Sequence, residues 1–244
     1  MNLENKKVLV TGGTEGIGAA IVDQLLRRRA QVITCARHEP SQALKDGVIF
    51  RRCDLASAGD RRALISWLFA EHPDTAVLIN NAGVQHLMDF HQTDSSRIET
   101  ESQLELSLNL EAPIMLCAGL LPMLVRQPEA AIVNITTGLA LAPKKSSPVY
   151  CATKAGLRSF TRSLRYQVED VAPTVRVQEV LPPLVETRMT AGRGTGKMKP
   201  EDVAIQVVSA IERGVEECYV GKSRLLKWMM RIAPGVVYKV LKTW

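Results

Sequence analysis

The sequence predicts a doubly wound α/β domain, in which a parallel sheet is covered by helices on both faces to give three α/β/α layers. Short β-branched segments alternate along the chain with longer segments whose apolar residues recur every three or four positions. The length of 244 residues fills one domain of this kind and is short for two. A glycine-rich turn also follows the first predicted strand, where such sheets bind ligands. We therefore interpret residues 1–244 as one domain.

Each element follows from its own pattern of residues. The predicted strands are residues 7–11, 31–35, 48–52, 76–80, 131–135 and 175–180. The predicted helices are residues 17–28, 60–71, 95–126 and 152–171. Alternation of strands and helices implies right-handed crossovers between parallel strands. Because ligands bind beyond the carboxyl ends of such strands, we expect the functional residues just after them.

The composition is that of a globular protein in a reducing compartment. The chain is 46% apolar and only 5% aromatic, which suits a core of Ala, Val, Ile and Leu. Its five cysteines are scattered and include no C-x-x-C pair, so the sequence predicts neither a disulfide framework nor a metal site. We expect a cytoplasmic location.

No targeting segment, membrane span or nucleic-acid surface is predicted. A polar lead over residues 2–7 passes directly into V-L-V-T-G-G, which is unlike a signal peptide. No uninterrupted apolar run is long enough to span a bilayer. The net charge is +6, but the basic residues are spread along the chain except near the C-terminus, which argues against nucleic-acid binding.

The turn T-G-G-T-E-G-I-G at residues 11–18 lies between the first strand and the first helix. Glycines there let the backbone approach a pyrophosphate, whose charge is met by the free N–H groups and the positive end of the helix. A plain structural turn is the alternative, but the position between strand and helix favours a dinucleotide site. The spacing of Gly12, Gly16 and Gly18 resembles T-G-x-x-x-G-x-G, the cofactor turn of the short-chain dehydrogenase/reductases, which have a Rossmann-like fold.

Further motifs extend this resemblance from about Lys6 to Gly221. N-N-A-G follows the fourth predicted strand, N-L-E-A-P contains Asn109, and V-Y-C-A-T-K supplies a Y-x-x-x-K pair in Tyr150 and Lys154. With P-P-L-V-E-T after the sixth strand, the chain is most similar to a subgroup of oxidoreductases linked with lipoteichoic-acid D-alanylation. The name of that subgroup establishes no substrate.

The resemblance implies cofactor contacts around the strand ends. The N-N-A-G segment would steady the sheet near the adenosine ribose, and Asp54, which as a lone acid would otherwise be solvated, would bind the adenine edge. Val185 and Thr187 would meet the nicotinamide carboxamide. The residues given a cofactor contact in this way are Gly12, Thr14, Glu15, Gly16, Ile17, Gly18, Asp54, Leu55, Asn81, Ala82, Gly83, Tyr150, Lys154, Pro182, Val185 and Thr187.

The residues after the second strand distinguish the two nicotinamide cofactors. An Asp at position 36 would bond the 2′-hydroxyl of NAD, but the sequence has Ala36 followed by Arg37. The guanidinium of Arg37 is a permanently charged fork suited to phosphate oxygens. We therefore predict NADP(H), with a plain surface arginine as the alternative. Glu15 is a mild counter-signal, because many NADP-using relatives carry a basic residue there.

Tyr150 and Lys154 are four residues apart and share one helix face. An aromatic ring packed over a lysine is the alternative to catalysis. A free phenol has a pKa of about 10. The sequence predicts that Lys154, aided by the positive ring of an oxidised nicotinamide, lowers the pKa of Tyr150, since opposite charge favours the phenolate. The resemblance makes Tyr150 the general acid/base of hydride transfer between NADP(H) and a carbonyl or alcohol, while Lys154 also bonds the nicotinamide ribose.

Two more catalytic residues are implied by the resemblance. Asn109 would hold a water that passes protons to Lys154. The hydroxyl residue that the family keeps thirteen positions before the tyrosine, usually serine, is Thr137. Its hydroxyl can polarise a carbonyl, although its methyl group narrows the site, and Thr136 is less suitable because adjacent strand residues point to opposite faces. The alternative is that Thr137 is only a strand-end residue and the enzyme is impaired.

Two segments are predicted to border the substrate site. Residues 183–199 contain three glycines and no apolar periodicity, which favours a mobile substrate lid, with Pro183 stiffening its entry. Residues 222–244 hold six Lys/Arg and no acid and form a basic amphipathic segment interrupted by Pro234. We expect this segment to pack on the fold or on another subunit, and contact with an anionic membrane is the less favoured alternative.

The sequence therefore predicts a small-molecule carbonyl or alcohol as substrate and, on family grounds, a homodimer or homotetramer. A non-catalytic NADP(H)-binding sensor or scaffold is the alternative from another class. Reduction of an imine or an activated double bond is the alternative within the enzymes. The identity of the substrate is not predicted.

Overall fold

A computed structural model of the chain describes residues 1–40 and 43–242. Its centre is a seven-stranded parallel sheet with the strand order β3-β2-β1-β4-β5-β6-β7. The strands are β1 Lys7–Thr11, β2 Gln31–Ala36, β3 Val48–Arg52, β4 Thr75–Asn80, β5 Ala130–Ile135, β6 Val175–Leu181 and β7 Glu217–Tyr219. The predicted fold is confirmed, and the predicted strands are all present with ends that differ by one residue or less.

Helices cover both faces of this sheet. They are α1 Gly16–Arg27, α2 Ala58–Glu71, α3 Ser95–Leu106, α4 Ala112–Leu124, α5 Pro148–Val171, α6 Pro200–Arg213, α7 Ser223–Ile232 and α8 Pro234–Leu241. A π-helical turn, Ser107–Glu111, joins α3 to α4, so the long helix predicted there is continuous. The last three helices and β7 were not predicted. The start signals of α6 are nevertheless in the sequence: a proline at its first position, then Glu201 and Asp202 in its first turn.

Alternation along each strand buries the sheet on both faces. Leu9 of β1 and Leu78 of β4 point to the face that is covered by α2, α4 and α5. Val8 and Val77, one residue earlier on each strand, point to the face that is covered by α1 and α6. The strands are therefore continuous apolar runs, which is why they were recognisable in the sequence.

The strand order reverses at β1, which lies between β2 and β4. At such a switch point the connections leave in opposite directions and open a crevice beyond the carboxyl ends of the strands. Thr11 ends β1 and Asn80 ends β4 at this crevice. The motifs that follow these two strands are thereby brought together.

The continuous helix Ser95–Leu124 is long and apolar enough, by length and composition alone, to cross a membrane. In this fold it packs against β4 and α5, and Leu116, Cys117 and Leu120 are buried in the core. That burial accounts for its apolar composition.

A cluster of ionised side chains joins α5 to β6 and β7. Arg158 contacts Glu179 and lies 3.3 Å from a carboxylate oxygen of Glu217. Glu217 also contacts Arg162 and accepts a hydrogen bond of 2.8 Å from the hydroxyl of Tyr219. Burial alone would raise the pKa of Glu217, but the hydrogen bonds from Arg162 and Tyr219 outweigh burial and lower this pKa from 4.5 to about 2.

We expect Glu217→Gln to make the fold less sensitive to acid. A carboxylate whose pKa is lowered by folding stabilises the fold above its unfolded pKa of 4.5, and this contribution is lost as the pH falls toward about 2. In urea unfolding between about pH 6 and pH 3, the wild type should lose free energy of unfolding more steeply than the variant. Burial raises the pKa of Glu179, which acts in the opposite direction, but Glu179 is present in both proteins. Equal slopes would contradict this assignment.

Candidate active site

The glycine turn lies between β1 and α1, as predicted. Gly12 and Gly16 have φ angles of 65° and 56°, in the left-handed region that favours glycine. A Cβ atom on Gly12 would lie only 3.1 Å from Cα of Ala82, so the turn packs directly on the segment after β4. The first turn of α1 contains no acidic residue, which leaves its N–H groups and positive dipole end suited to an anion.

Two side chains hold the turn in position. The hydroxyl of Thr34 on β2 accepts a hydrogen bond of 2.9 Å from the N–H of Gly13 and donates one to the carbonyl of β1. The amide of Asn81 donates to the carbonyls of Thr11 and Gly12 at 3.0 and 3.2 Å. The N-N-A-G segment therefore holds the glycine turn in place, and its predicted position near an adenosine ribose stays a prediction.

The shape of the turn fits a dinucleotide. A Cβ atom on Gly18 would overlap the carbonyl oxygen of Gly12 and would lie 2.5 Å from Nδ2 of Asn81. The helix start can approach β1 this closely only because residue 18 has no side chain. Thr14 and Ile17 are partly exposed between these glycines, where a pyrophosphate would meet the turn.

Basic side chains gather beyond β2, at the predicted adenosine end. Arg37 is exposed, and its Nε donates a hydrogen bond of 3.0 Å to Nε2 of His38. The Nε of Arg52, at the end of β3, donates to the carbonyl of Arg37 at 3.3 Å. Within residues 1–40 and 43–242, no carboxylate lies within 4 Å of either guanidinium. Of these three residues, only Arg37 was predicted from the sequence.

Asp54 and Leu55 follow β3 and lead into α2. One carboxylate oxygen of Asp54 accepts a hydrogen bond of 3.0 Å from the N–H of Ala56, so the side chain shapes this turn. Leu55 is buried in the core. Contact of these residues with an adenine ring stays a prediction.

Asn109 lies in the π-helical turn and is completely buried. Its Oδ1 accepts from the N–H of Val84 and its Nδ2 donates to the carbonyl of Val84, both at 2.9 Å. A Cβ atom on Gly83 would lie 3.0 Å from Oδ1 of Asn109 and 3.6 Å from Nζ of Lys154, so glycine is the residue that fits between them. The side chain of Asn109 thus ties the long helix to the segment after β4, and its role in holding a water stays a prediction.

Lys154 is a buried cation at the carboxyl end of β5. Its side chain donates one hydrogen bond of 2.9 Å, from Nζ to the carbonyl of Ile135. The ammonium has two further protons, and no acceptor among the described residues takes them. Burial lowers the pKa of Lys154 to about 8, which leaves it mainly charged at neutral pH. A buried ammonium with two protons to donate fits the ribose hydroxyls of a dinucleotide.

Tyr150 is half-buried on the same face of α5, with its ring centre 6.0 Å from Nζ of Lys154. Its hydroxyl makes no hydrogen bond with any residue that the structure describes. Burial raises the pKa of Tyr150 well above its usual value of 10.0, and the nearby Cys151 and Glu105 raise it further. In the protein alone the pKa of Tyr150 is therefore raised, and Lys154 is not among the groups that shift it. That Lys154 and an oxidised nicotinamide together lower this pKa stays a prediction.

The two threonines after β5 have different surroundings. Thr136 is buried and donates a hydrogen bond of 2.6 Å to Glu179. Thr137 is half-buried and accepts a hydrogen bond of 3.3 Å from the N–H of Leu139, at the start of the 3₁₀ helix Gly138–Ala140. Of the two, Thr137 is the one that is partly exposed, and its role in polarising a carbonyl stays a prediction.

The predicted lid, residues 183–199, has more regular structure than its composition indicated. Val185 forms a parallel bridge with Met198, and Arg188–Thr190 is a 3₁₀ turn. The side chain of Val185 is buried in the core, so that any contact of Val185 with a cofactor is through its backbone. Pro182, just before this segment, accepts a hydrogen bond of 3.4 Å from the N–H of Gly138.

Contacts at both ends of the cleft hold this segment over it. Arg188 donates a hydrogen bond of 2.9 Å to Glu15 in the glycine turn, and a Cβ atom on Gly16 would lie 3.2 Å from Cγ2 of Thr187. Further along, Arg193 donates a hydrogen bond of 2.9 Å to the side-chain oxygen of Gln85. Residues 183–199 thus reach from the glycine turn to the Gln85 segment. Glu15, which had counted against NADP(H) in the sequence, is therefore paired with Arg188.

A buried chain of polar side chains that supports the site was also missed. Asn80 donates to Asn134 at 2.8 Å, and Asn134 donates to Thr161 of α5 at 2.8 Å. These bonds tie the ends of β4 and β5 to the helix that carries Tyr150 and Lys154. The sequence does contain a sign of this contact, because each of two apolar strands has an asparagine near its carboxyl end. Asn80 and Asn134 are paired in register between β4 and β5.

Comparison with known proteins agrees with this geometry. The family model for short chain dehydrogenases matches residues 6–197. "Uncharacterized oxidoreductase DltE" of Bacillus subtilis is 42% identical over 192 residues, which cover 77% of this chain and 74% of the Bacillus protein. An L-xylulose reductase of Caenorhabditis elegans is 31% identical over 76% of this chain and 74% of its own.

Solved structures share the fold. A short chain dehydrogenase from Burkholderia cenocepacia in complex with NADP has a TM-score of 0.87 over 99% of both chains, at 23% identity. A short chain dehydrogenase/reductase from Burkholderia phymatum in complex with NAD has a TM-score of 0.84, covering 95% of this chain and 94% of its own, at 18% identity. The fold is thus shared by proteins that bind either cofactor. Since the family model spans the glycine turn, the Tyr150–Lys154 pair and most of the sheet, this chain belongs to the short-chain dehydrogenase/reductase family of oxidoreductases.

Proposed function

We propose that the protein is an NADP(H)-dependent oxidoreductase that transfers a hydride between the nicotinamide and a carbonyl or alcohol substrate, with Tyr150 as the general acid/base. The observation that supports this most strongly is the pairing of a tyrosine hydroxyl without a protein partner and a buried lysine one helical turn away. A Cβ atom on Gly83 would lie 3.6 Å from Nζ of this lysine, so the pair is next to the segment that packs on the glycine turn.

Each side chain then has one task. The nicotinamide, when bound, supplies or accepts the hydride. Tyr150 donates its proton to the substrate oxygen during reduction and takes it back during oxidation. Thr137 orients the carbonyl with its hydroxyl, Lys154 donates to the nicotinamide ribose, and Asn109 holds a water for proton relay.

The protonation state of Tyr150 favours reduction. Its raised pKa keeps the phenol neutral at pH 7, so the proton that a developing alkoxide needs is already in place. Oxidation requires the phenolate instead, and the positive charges of Lys154 and of the oxidised nicotinamide are what would stabilise it.

A screen of ketones, aldehydes and their alcohols, with NADPH consumption or formation as the readout, tests this function. Turnover of any carbonyl compound supports it and supplies a substrate for the variants described below. If NADPH binds and no carbonyl compound is reduced, a substrate of another class, such as an imine or an activated double bond, is tested in the same assay. Binding without any turnover would support the sensor or scaffold alternative.

The preference for NADP(H) rests on the basic group formed by Arg37, His38 and Arg52. We expect Arg37→Glu to raise the KM for NADPH by about ten- to hundredfold, since a hydrogen bond to a charged group contributes about 1.5–3 kcal/mol. The KM for NADH should change far less, because NADH has no 2′-phosphate. Steady-state kinetics with both cofactors measure the two effects.

Arg126→Glu is the matched control for this prediction. Arg126 is exposed and lies just before β5 begins, at the opposite edge of the sheet from the strand ends. Arg126→Glu changes the charge by the same amount as Arg37→Glu, and it should alter neither the KM for NADPH nor the KM for NADH. Equal effects of Arg37→Glu on NADPH and NADH would overturn the NADP(H) assignment.

A cytoplasmic homodimer or homotetramer is the form in which we propose that the enzyme acts. The five cysteines are all buried and unpaired, in keeping with a reducing compartment. The oligomer is proposed from the family to which the chain belongs.

A further inference from the structure

We propose that the C-terminal helices α7 and α8 form a docking surface for an anionic membrane. From its sequence, this segment is expected to pack on the fold or on another subunit. The structure shows that the segment does pack on the fold, but only by one face. Thr243 and Trp244, the last residues of the predicted segment, lie outside the described residues.

Helix α7 is anchored to the domain through β7, and α8 packs on α7. Ser223 at the start of α7 and Val237 in α8 are buried. A Cβ atom on Gly138 would lie 2.8 Å from Cδ2 of Leu226, so α7 rests on the loop after β5 that carries Thr137. The segment is thus a fixed part of the surface next to the candidate active site.

The outer face is apolar and exposed. Leu225, Trp228 and Ile232 of α7 are 62%, 60% and 78% exposed, and their spacing of three and four places them on one side of the helix. Val236, at the start of α8, is 53% exposed. Large apolar side chains clustered in this way indicate an interaction site, whereas single exposed ones do not.

The charges around this apolar face identify what it binds. The six cations are Lys222, Arg224, Lys227, Arg231, Lys239 and Lys242, and the segment contains no acid. None of the six lies within 4 Å of a carboxylate in the described part of the chain. Arg224 and Lys227 instead contact Tyr219, through its carbonyl and the face of its ring. The apolar face is therefore bordered by positive charge that the fold does not neutralise.

A second copy of the chain fits this surface poorly. In a two-fold contact the same patch of each subunit meets itself, so these cations would face their own copies without acids between them. A bilayer that contains anionic lipid offers negative charge at its surface and apolar chains below it. Amphipathic helices with Lys and Arg around Trp and Leu bind in this plane.

Flotation of the full-length protein with vesicles tests the proposal and does not depend on catalysis. We expect the protein to float at physiological salt with vesicles of phosphatidylcholine and phosphatidylglycerol, and to stay at the bottom with phosphatidylcholine alone. Each unit of charge near an anionic surface contributes about fivefold to binding. Lys227→Glu with Arg231→Glu changes the charge of the surface by four units, so vesicle binding should weaken by roughly 100-fold or more. Leu225→Ser with Ile232→Ser should abolish flotation, because the apolar contact is lost.

Two controls keep these outcomes separate. Tyr166→Ser with Val171→Ser removes exposed apolar side chains from α5 and should float like the wild type. Unchanged thermal unfolding and NADPH binding show that each variant is folded. A wild type that does not float with anionic vesicles, or a Leu225→Ser, Ile232→Ser variant that floats normally, overturns the proposal. If that variant instead reduces the size of an oligomer in sedimentation velocity, a second copy covers the surface.

Discussion

Tyr150→Phe is expected to reduce kcat by about 10²- to 10⁴-fold, the usual contribution of a positioned general acid. The change removes one oxygen from a half-buried ring whose hydroxyl has no hydrogen-bond partner among the described residues. It therefore leaves no polar group of the protein newly unpaired, and folding should be little affected. NADPH binding should also be retained, because Lys154 is held by Ile135 and not by the phenol.

The measurements are steady-state kinetics with a carbonyl compound from the screen, and NADPH affinity by fluorescence. Tyr166→Phe is the matched control, since Tyr166 is on the same helix and exposed to solvent, and this variant should keep full activity. Retention of kcat in Tyr150→Phe would remove Tyr150 from the chemistry. Loss of both turnover and NADPH binding would instead indicate a structural role.

The rates of carbonyl reduction and alcohol oxidation should depend differently on pH, because they need different protonation states of Tyr150. Reduction needs the neutral phenol, whose raised pKa keeps it protonated throughout the physiological range. Oxidation needs the phenolate and should speed up with rising pH. Lys154 limits this gain, because its own pKa is lowered to about 8 by burial, and the positive charge that supports the phenolate is lost above that pH.

Much of the fold could be predicted because the information was local. Strands buried on both faces read as unbroken runs of Val, Ile and Leu, and the glycine turn has a fixed place after the first of them. β7 has only three residues, Glu217–Tyr219, which is too short for any periodicity. Its place in the sheet depends on its pairing with β6 and on the Arg158–Glu217 contact, and neither can be read from the local sequence.

The placement of the candidate residues could be predicted better than their energetics. The order of the motifs indicated which residues would meet at the strand ends, and Asn81, Lys154 and Tyr150 do lie there. Burial is a property of the assembled fold, however, and burial decides the pKa of Tyr150. The contacts of Arg193 with Gln85 and of Arg188 with Glu15 join positions more than a hundred residues apart, so that no local pattern could reveal them.

Gly18→Ala should affect stability and cofactor binding more than any other single-methyl change in the glycine turn. The new Cβ atom would overlap the carbonyl oxygen of Gly12 and lie 2.5 Å from Nδ2 of Asn81. The first of these atoms belongs to the backbone and cannot rotate away, so α1 must shift relative to β1. Adding a methyl group to a well-packed core typically costs ~1–3 kcal/mol, and we expect the free energy of unfolding to fall by this amount or more. NADPH binding should become undetectable.

Gly59→Ala is the control for this prediction, because the same methyl group at Gly59 in α2 would lie 3.6 Å from Oγ of Ser57, which is ordinary contact. That variant should unfold within about 1 kcal/mol of the wild type and bind NADPH normally. Chemical unfolding and a fluorescence titration with NADPH measure both properties. If Gly18→Ala were stable and still bound NADPH, the close approach of the helix start to β1 would not be needed for the cofactor. The pyrophosphate would then have to be placed elsewhere than over the positive end of α1.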